Sequence, residues 1–314
     1  MTTRLRWLTA ALLLLACTAS FASTFDPGRT GFRISVDGMD NPYRVLAIPV
    51  MPEASVRFHS PDLPAAALSG KTDKGTLTAR GDRGWSWHAP PTPGHYPLTF
   101  RQDATGETMT FNMLVMTPRS AKANGRIENY RIGRYPSKPF RGLDAYLPPE
   151  GFIRVDPALA KLAVSPHFTL GQFLSKQQAG WPRFVLIRPE LMLVLEQLLE
   201  TVNEEGIRTD GFVVMSGYRT PFYNTAIGNG RHSRHQWGGA ADIYIDQHRP
   251  RGRMDDLTGD NRSTIADARV LAAIAERVMA EMDVEGGIGI YGSAPHRGPF
   301  VHVDVRGFPA RWEF

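Results

Sequence analysis

The chain has 314 residues, more than one average domain, and its 42% hydrophobic and 10% aromatic residues suffice for sizeable cores. A net charge of +5, with no Lys/Arg run and no basic patch interleaved with aromatics, gives no sign of nucleic-acid binding and only a modest attraction to anionic polymers. A single cysteine, Cys17, excludes a disulfide framework, so the folded part owes its stability to core packing.

At the N-terminus, Arg4 and Arg6 precede the apolar run Leu8 to Ala16, and Ser20-Phe21-Ala22 offers a small-residue cleavage site before Ser23. This pattern predicts a secretory signal peptide over residues 1–22 and an exported, periplasmic protein, because the run is too short for a lasting membrane span. Leu14-Leu15-Ala16-Cys17 also fits a lipoprotein cleavage box, in which Cys17 would be acylated; membrane contact, as an outer-membrane lipoprotein, is expected only in that case.

Residues 26–117 predict a small all-β accessory domain of the immunoglobulin-like sandwich kind. Short β-rich segments at 32–36, 43–50, 55–58, 84–87, 94–100 and 109–115 are bounded by Gly, Pro and Asp. The stretch from Pro93 into the alternating residues after Thr99 has the character of a closing hairpin, and Trp85 and Trp87, on one strand face, read as core residues rather than sugar-stacking ones. Residues 118–165, rich in Arg, Gly, Pro and Tyr, predict an extended linker that wraps over the next domain or contacts a partner.

From about residue 166 to 314 the pattern is α+β. Pro189 to Glu204 carries apolar Leu191, Leu195, Leu198, Leu199 and Val202 opposite glutamates, with proline at the first turn. A second helix is expected over about 263–282, where Thr264 and Asp267 form a capping pattern. Strands are expected at 211–215, around Ile243 and Ile245, and at 300–305, where Val301, Val303 and Val305 alternate with His302, Asp304 and Arg306.

The most informative stretch is Ser233-Arg234-His235-Gln236-Trp237-Gly238-Gly239-Ala240-Ala241-Asp242. Gly238 and Gly239 permit a sharp turn or a close backbone approach, so His235 and Asp242 can point to one centre on a short irregular segment. His302, from a distant strand, completes a two-part zinc site with three protein ligands and an open fourth position, the mark of a catalytic rather than a structural zinc.

These residues resemble a family. Phe168 to Arg311 is similar to the M15 zinc D-Ala-D-Ala peptidases, of the hedgehog/D,D-peptidase fold, through three segments: Ser216-Gly217-Tyr218-Arg219-Thr220-Pro221 with Asn224, the Ser233 to Asp242 run, and Gly287 to Tyr291 leading into Phe300 to Asp304. The resemblance implies one Zn²⁺ per chain on His235, Asp242 and His302, Arg219 holding a substrate carbonyl or carboxylate, and further substrate contacts from Ser233 and Tyr218. It implies hydrolysis of peptidoglycan stem peptides, by a D,D-carboxypeptidase or a cross-link endopeptidase. Many relatives place the catalytic carboxylate three residues before the last histidine, where this chain has Pro299. Asp304 is then the first candidate for the base, with orientation of His302 as its alternative role; His296, His232, Asp283 and Glu285 rank below it. Two other classes stay open: an inactive zinc-bound peptidoglycan-binding or envelope interaction module, and a lipid-anchored structural protein whose β-domain carries the function.

Overall fold

The computed structural model describes residues 25–247 and 251–314, so the expected signal peptide and Cys17 lie outside the described residues. The N-terminal part is all-β. Alternating apolar residues give two sheets, one ordered Met39–Tyr43, Arg29–Val36, Ser55–His59, Gly84–His88, Thr76–Arg80, the other Val45–Val50, Thr108–Val115, Gly94–Gln102, Leu68–Thr72. Gly94–Gln102 and Thr108–Val115 form the expected hairpin, whereas Val45–Val50 runs parallel to Thr108–Val115. The sheets face each other through Phe58 and Trp85 on one side and Phe100 and Phe111 on the other, at ring-centroid distances of 4.8 to 5.5 Å. Trp87 is fully buried, so both tryptophans serve the core. The segment expected to run unbroken from Tyr43 to Val50 divides at Arg44 between the two sheets, and the strands Leu68–Thr72 and Thr76–Arg80 were not expected: their side chains are mostly exposed and lack the apolar alternation that marks a half-buried strand.

Residues 118–165 carry short pieces of structure and dock on the C-terminal part. Gly151–Val155 pairs with Thr117–Pro118 and with Arg183–Val185, and a small hairpin joins Arg126–Ile127 to Tyr130–Arg131.

In the mixed C-terminal part, helix α1 (Pro189–Glu204) begins with proline, which fits a first turn whose N–H has no intrahelical acceptor. Its Leu191, Leu195, Leu198, Leu199 and Val202 are fully buried, each contributing roughly 1.5–3 kcal/mol. A short α2 (Pro221–Ala226) is capped by Thr220, whose hydroxyl accepts from Tyr223 N. The longer α3 (Ile265–Glu281) starts on the expected Thr264/Asp267 capping box. Helix α3 packs on α1 and on a five-stranded sheet ordered Val213–Ser216, Ala240–Tyr244, Phe300–Asp304, Gly287–Tyr291, Ala310–Glu313. The last strand lies parallel to Gly287–Tyr291.

Helix α1 also ties the two parts together. Arg29 Nε donates to both Glu200 carboxylate oxygens at 2.8 Å. On the same helix, buried Glu196 accepts from His167 N at 2.8 Å and lies 2.6 Å from His167 Nδ1, while His167 Nε2 lies 3.0 Å from the Asp26 carbonyl. Burial of the imidazole disfavours its charge, but the Glu196 carboxylate outweighs this and raises the His167 pKa above its usual value. A raised folded-state pKa stabilises fully below the unfolded value of about 6.5 and ceases to do so as pH climbs through the folded one. The melting temperature is therefore expected to fall as pH rises from about 6, and His167→Gln to flatten that fall. An identical decline in the variant would assign it to other groups.

Candidate metal centre

The sheet brings the expected ligands together by register. Asp242 sits in the middle of Ala240–Tyr244, directly opposite His302 of Phe300–Asp304. Asp242 thus belongs to a regular strand, not to the irregular segment expected for it: Gly239, Ala240 and Ala241 offer no alternation to reveal one. His235 arrives from a 3-10 turn, Arg234–Trp237, which Gly238 ends in the left-handed conformation at φ +67°. A Cβ at Gly238 would lie 2.4 Å from the Leu186 carbonyl carbon. Gly238→Ala is accordingly expected to cost roughly 1–2 kcal/mol for the left-handed backbone alone, and more through that collision. Urea unfolding would read it as a lowered midpoint, and an unchanged midpoint would refute it.

The donor atoms converge. His235 Nε2 lies 3.2 Å from Asp242 Oδ1 and 3.2 Å from His302 Nδ1, and His302 Nδ1 lies 2.9 Å from Asp242 Oδ1. All three side chains are buried. Donors about 2.0–2.1 Å from a tetrahedral zinc stand roughly 3.3 Å from one another, close to this triangle. The outer atoms fix the inner ones. His235 Nδ1 is 2.6 Å from the Gly217 carbonyl, an obligate acceptor, so the ring proton sits there and Nε2 presents a lone pair to the centre. His302 Nε2 is 2.8 Å from Asp304 Oδ2, so its proton faces outward and Nδ1 faces the centre. Two imidazoles and one carboxylate make a donor set that suits Zn²⁺.

Charge supports the same reading. Burial disfavours ionised Asp242, yet the His235 and His302 imidazoles hold its carboxyl well below the usual range. Burial likewise lowers His235. For His302 burial acts downward, but Asp242 and Asp304 on its two sides raise it to about 9. Without a metal, a proton on His302 Nδ1 occupies the centre, and metal binding must displace it.

The remaining predicted residues separate. Asp304 is fully buried and lies beyond His302; it accepts from Arg306 Nε at 2.8 Å and from Gly287 N at 3.1 Å. Burial opposes its ionisation, and Arg306 and His302 overcome this, lowering its pKa. Arg219 donates through Nη2 to Asp242 Oδ2 at 2.5 Å and through Nε to Ser216 Oγ at 2.8 Å, which leaves Asp242 Oδ1 to the histidines. Ser233 is the half-buried residue that starts the His235 turn. Tyr218, expected among the substrate contacts, is only 1% exposed, and its hydroxyl lies 3.1 Å from that of Tyr135; it packs beneath the site. Pro299 precedes the His302 strand, His232 packs on Phe140 at 4.9 Å, and His296, Asp283 and Glu285 are exposed, outside the centre.

Several neighbours carry no signal in the sequence. Trp312, from the last strand, lies 5.2 Å from the His302 ring and donates through Nε1 to Tyr291 Oη at 2.9 Å. Tyr135 donates to the Gln236 carbonyl at 2.8 Å, Trp237 to the Leu147 carbonyl at 2.9 Å, and Arg234 to the Ala145 carbonyl at 2.6 Å. The segment 118–165 thereby braces the turn that carries His235. Its backbone acceptors leave no trace in composition or periodicity.

The Peptidase M15 family model matches residues 166–264, which include His235 and Asp242. The C-terminal domain is that of an M15-family peptidase. A search of the curated proteins gave no significant match. The matched stretch ends before His302, so the third ligand rests on the structure, through the register that sets it opposite Asp242.

Proposed function

We propose that the protein is an exported zinc-dependent peptidase that hydrolyses peptidoglycan stem peptides, as a D,D-carboxypeptidase or cross-link endopeptidase. The observation that carries this reading is the buried triangle of His235 Nε2, Asp242 Oδ1 and His302 Nδ1. Zn²⁺ held by these three residues would supply Lewis acidity and a water of lowered pKa. The chain's own residues do the rest. Gly217 and Asp304 lock the two imidazoles in the tautomers that binding requires. Arg219 holds Asp242 to a single inward oxygen and keeps positive charge beside the place where a scissile carbonyl would gain negative charge. Asp304, closed off by His302, Arg306 and Gly287, acts as a positioning residue for His302 rather than as the proton acceptor. We also read the C-terminal domain as hedgehog/D,D-peptidase-like and the N-terminal sandwich as an immunoglobulin-like module that presents the enzyme to the wall.

One observation favours a second reading. Because the Asp304 carboxylate is enclosed and Pro299 stands where relatives carry an acid, a domain that binds stem peptides without cutting them fits the same centre. Product release from purified peptidoglycan decides between them. Free D-alanine from the zinc-loaded protein, lost on chelation and restored by zinc, is expected of a carboxypeptidase, and shortened cross-linked fragments of an endopeptidase. No zinc-dependent product from any stem peptide would leave the binding module.

A further inference from the structure

Two large rings stand exposed on the side of the domain reached through Arg219. Trp181 is 45% and Phe222 37% exposed, an unusual investment for apolar rings on a folded surface. They line two adjoining cavities of about 410 Å³ and 560 Å³ that share Arg131 and Phe222. Cations border both: Arg126 and Arg131 in the first, Lys122, Arg131 and Arg134 in the second, and none of the lining residues is acidic. The Arg131 guanidinium lies 4.6 Å from the centre of the Phe222 ring, and that of Arg183 lies 5.0 Å from the Trp181 ring, so a cation braces each aromatic. Among the described residues Arg131 and Arg134 form no ion pair, and their charge is free for a ligand.

The groove is built into the same framework as the metal centre. Thr220, next to Arg219, donates through Oγ1 to Gln177 Oε1 at 2.5 Å, and Gln177 Nε2 donates to the Arg131 carbonyl at 3.0 Å. Phe222 N donates to the Ile132 carbonyl at 3.1 Å, an approach that Gly133 permits, since a Cβ there would lie 2.5 Å from Phe222 N. The wall from Gln177 to Pro182 thus reaches the Thr220 end of the segment that carries Arg219.

Exposed rings accept the apolar face of a pyranose, and guanidinium groups pair with carboxylates in bidentate fashion. We propose that this groove binds the glycan strand of the wall at stretches stripped of stem peptide, where the carboxylates that otherwise carry the peptides are free to pair with Arg131 and Arg134. The inference rests on the peptidoglycan reading above and deepens it: docking of the strand sets which peptide reaches His235, Asp242 and His302.

The test is cosedimentation or calorimetry with glycan strands freed of peptide by an amidase, using the full chain in zinc-loaded and zinc-stripped form. Binding is expected in both forms and to weaken as salt rises. The double substitution Trp181→Ala with Phe222→Ala is expected to weaken it about tenfold. Arg131→Glu, which reverses one charge, should weaken it as well, and an unchanged zinc content in each variant shows that the fold is kept. Variants that bind like the wild type would overturn the proposal, as would tighter binding of single-stranded DNA than of the glycan. Glycan binding is read without hydrolysis and without metal. An inert metal centre therefore leaves the glycan result standing, and failure to bind glycan leaves any hydrolysis standing.

Discussion

Replacing His235 with alanine is expected to abolish zinc retention and reduce hydrolysis to the level of the chelated protein. Among the described residues His235 Nε2 is one of three protein donors at the centre, and its ring is held from behind by the Gly217 carbonyl at 2.6 Å. Asp242 and His302 alone leave two protein donors, and the two carboxylates that flank the His302 ring favour a proton on it, which competes with a metal for Nδ1. The substitution also strips the Gly217 carbonyl of its donor, which costs about 1–3 kcal/mol of stability and leaves a folded protein. Metal analysis after dialysis and product release from peptidoglycan, beside a melting curve, check this. A folded variant that keeps both zinc and activity would remove the triangle from the mechanism.

The sequence made some of this arrangement legible for local reasons. Pro189 and the Thr264/Asp267 pair mark helix starts because a first-turn position needs either no N–H, as in proline, or a side-chain acceptor for it, and both helices begin there. The alternation through Val301, Val303 and Val305 placed His302 and Asp304 on one face, and both do lie there, joined by a 2.8 Å contact. What was hidden depends on other strands. Gly239, Ala240 and Ala241 carry no pattern, yet backbone pairing alone puts Asp242 opposite His302. Trp312 reaches His302 only because Ala310–Glu313 joins the sheet edge in parallel, at a distance no period in that short segment encodes. Tyr218 sits inside a matching motif, but its burial follows from Tyr135, which lies in the segment expected to be a linker.

Asp304 is where alternation could not distinguish two roles, and substitution can. Asp304→Ala is expected to lower zinc affinity by about 10–100-fold, the usual effect of losing the carboxylate behind a metal-binding histidine. The loss has two physical sources. His302 Nε2–H forfeits its acceptor, so the ring is no longer fixed with Nδ1 toward Asp242 Oδ1, and Arg306, whose Nε donates to Asp304 at 2.8 Å, is left partly buried beside the site without its counter-charge. Asp304→Asn separates positioning from proton transfer, because its amide oxygen can still accept from His302 but cannot take a proton from water. If Asp304 positions, hydrolysis by the Asn variant follows its zinc occupancy and recovers as zinc is raised to saturation. A variant that is fully zinc-loaded and yet inactive would make Asp304 the base, and the enclosure of its carboxylate would then have to open during turnover.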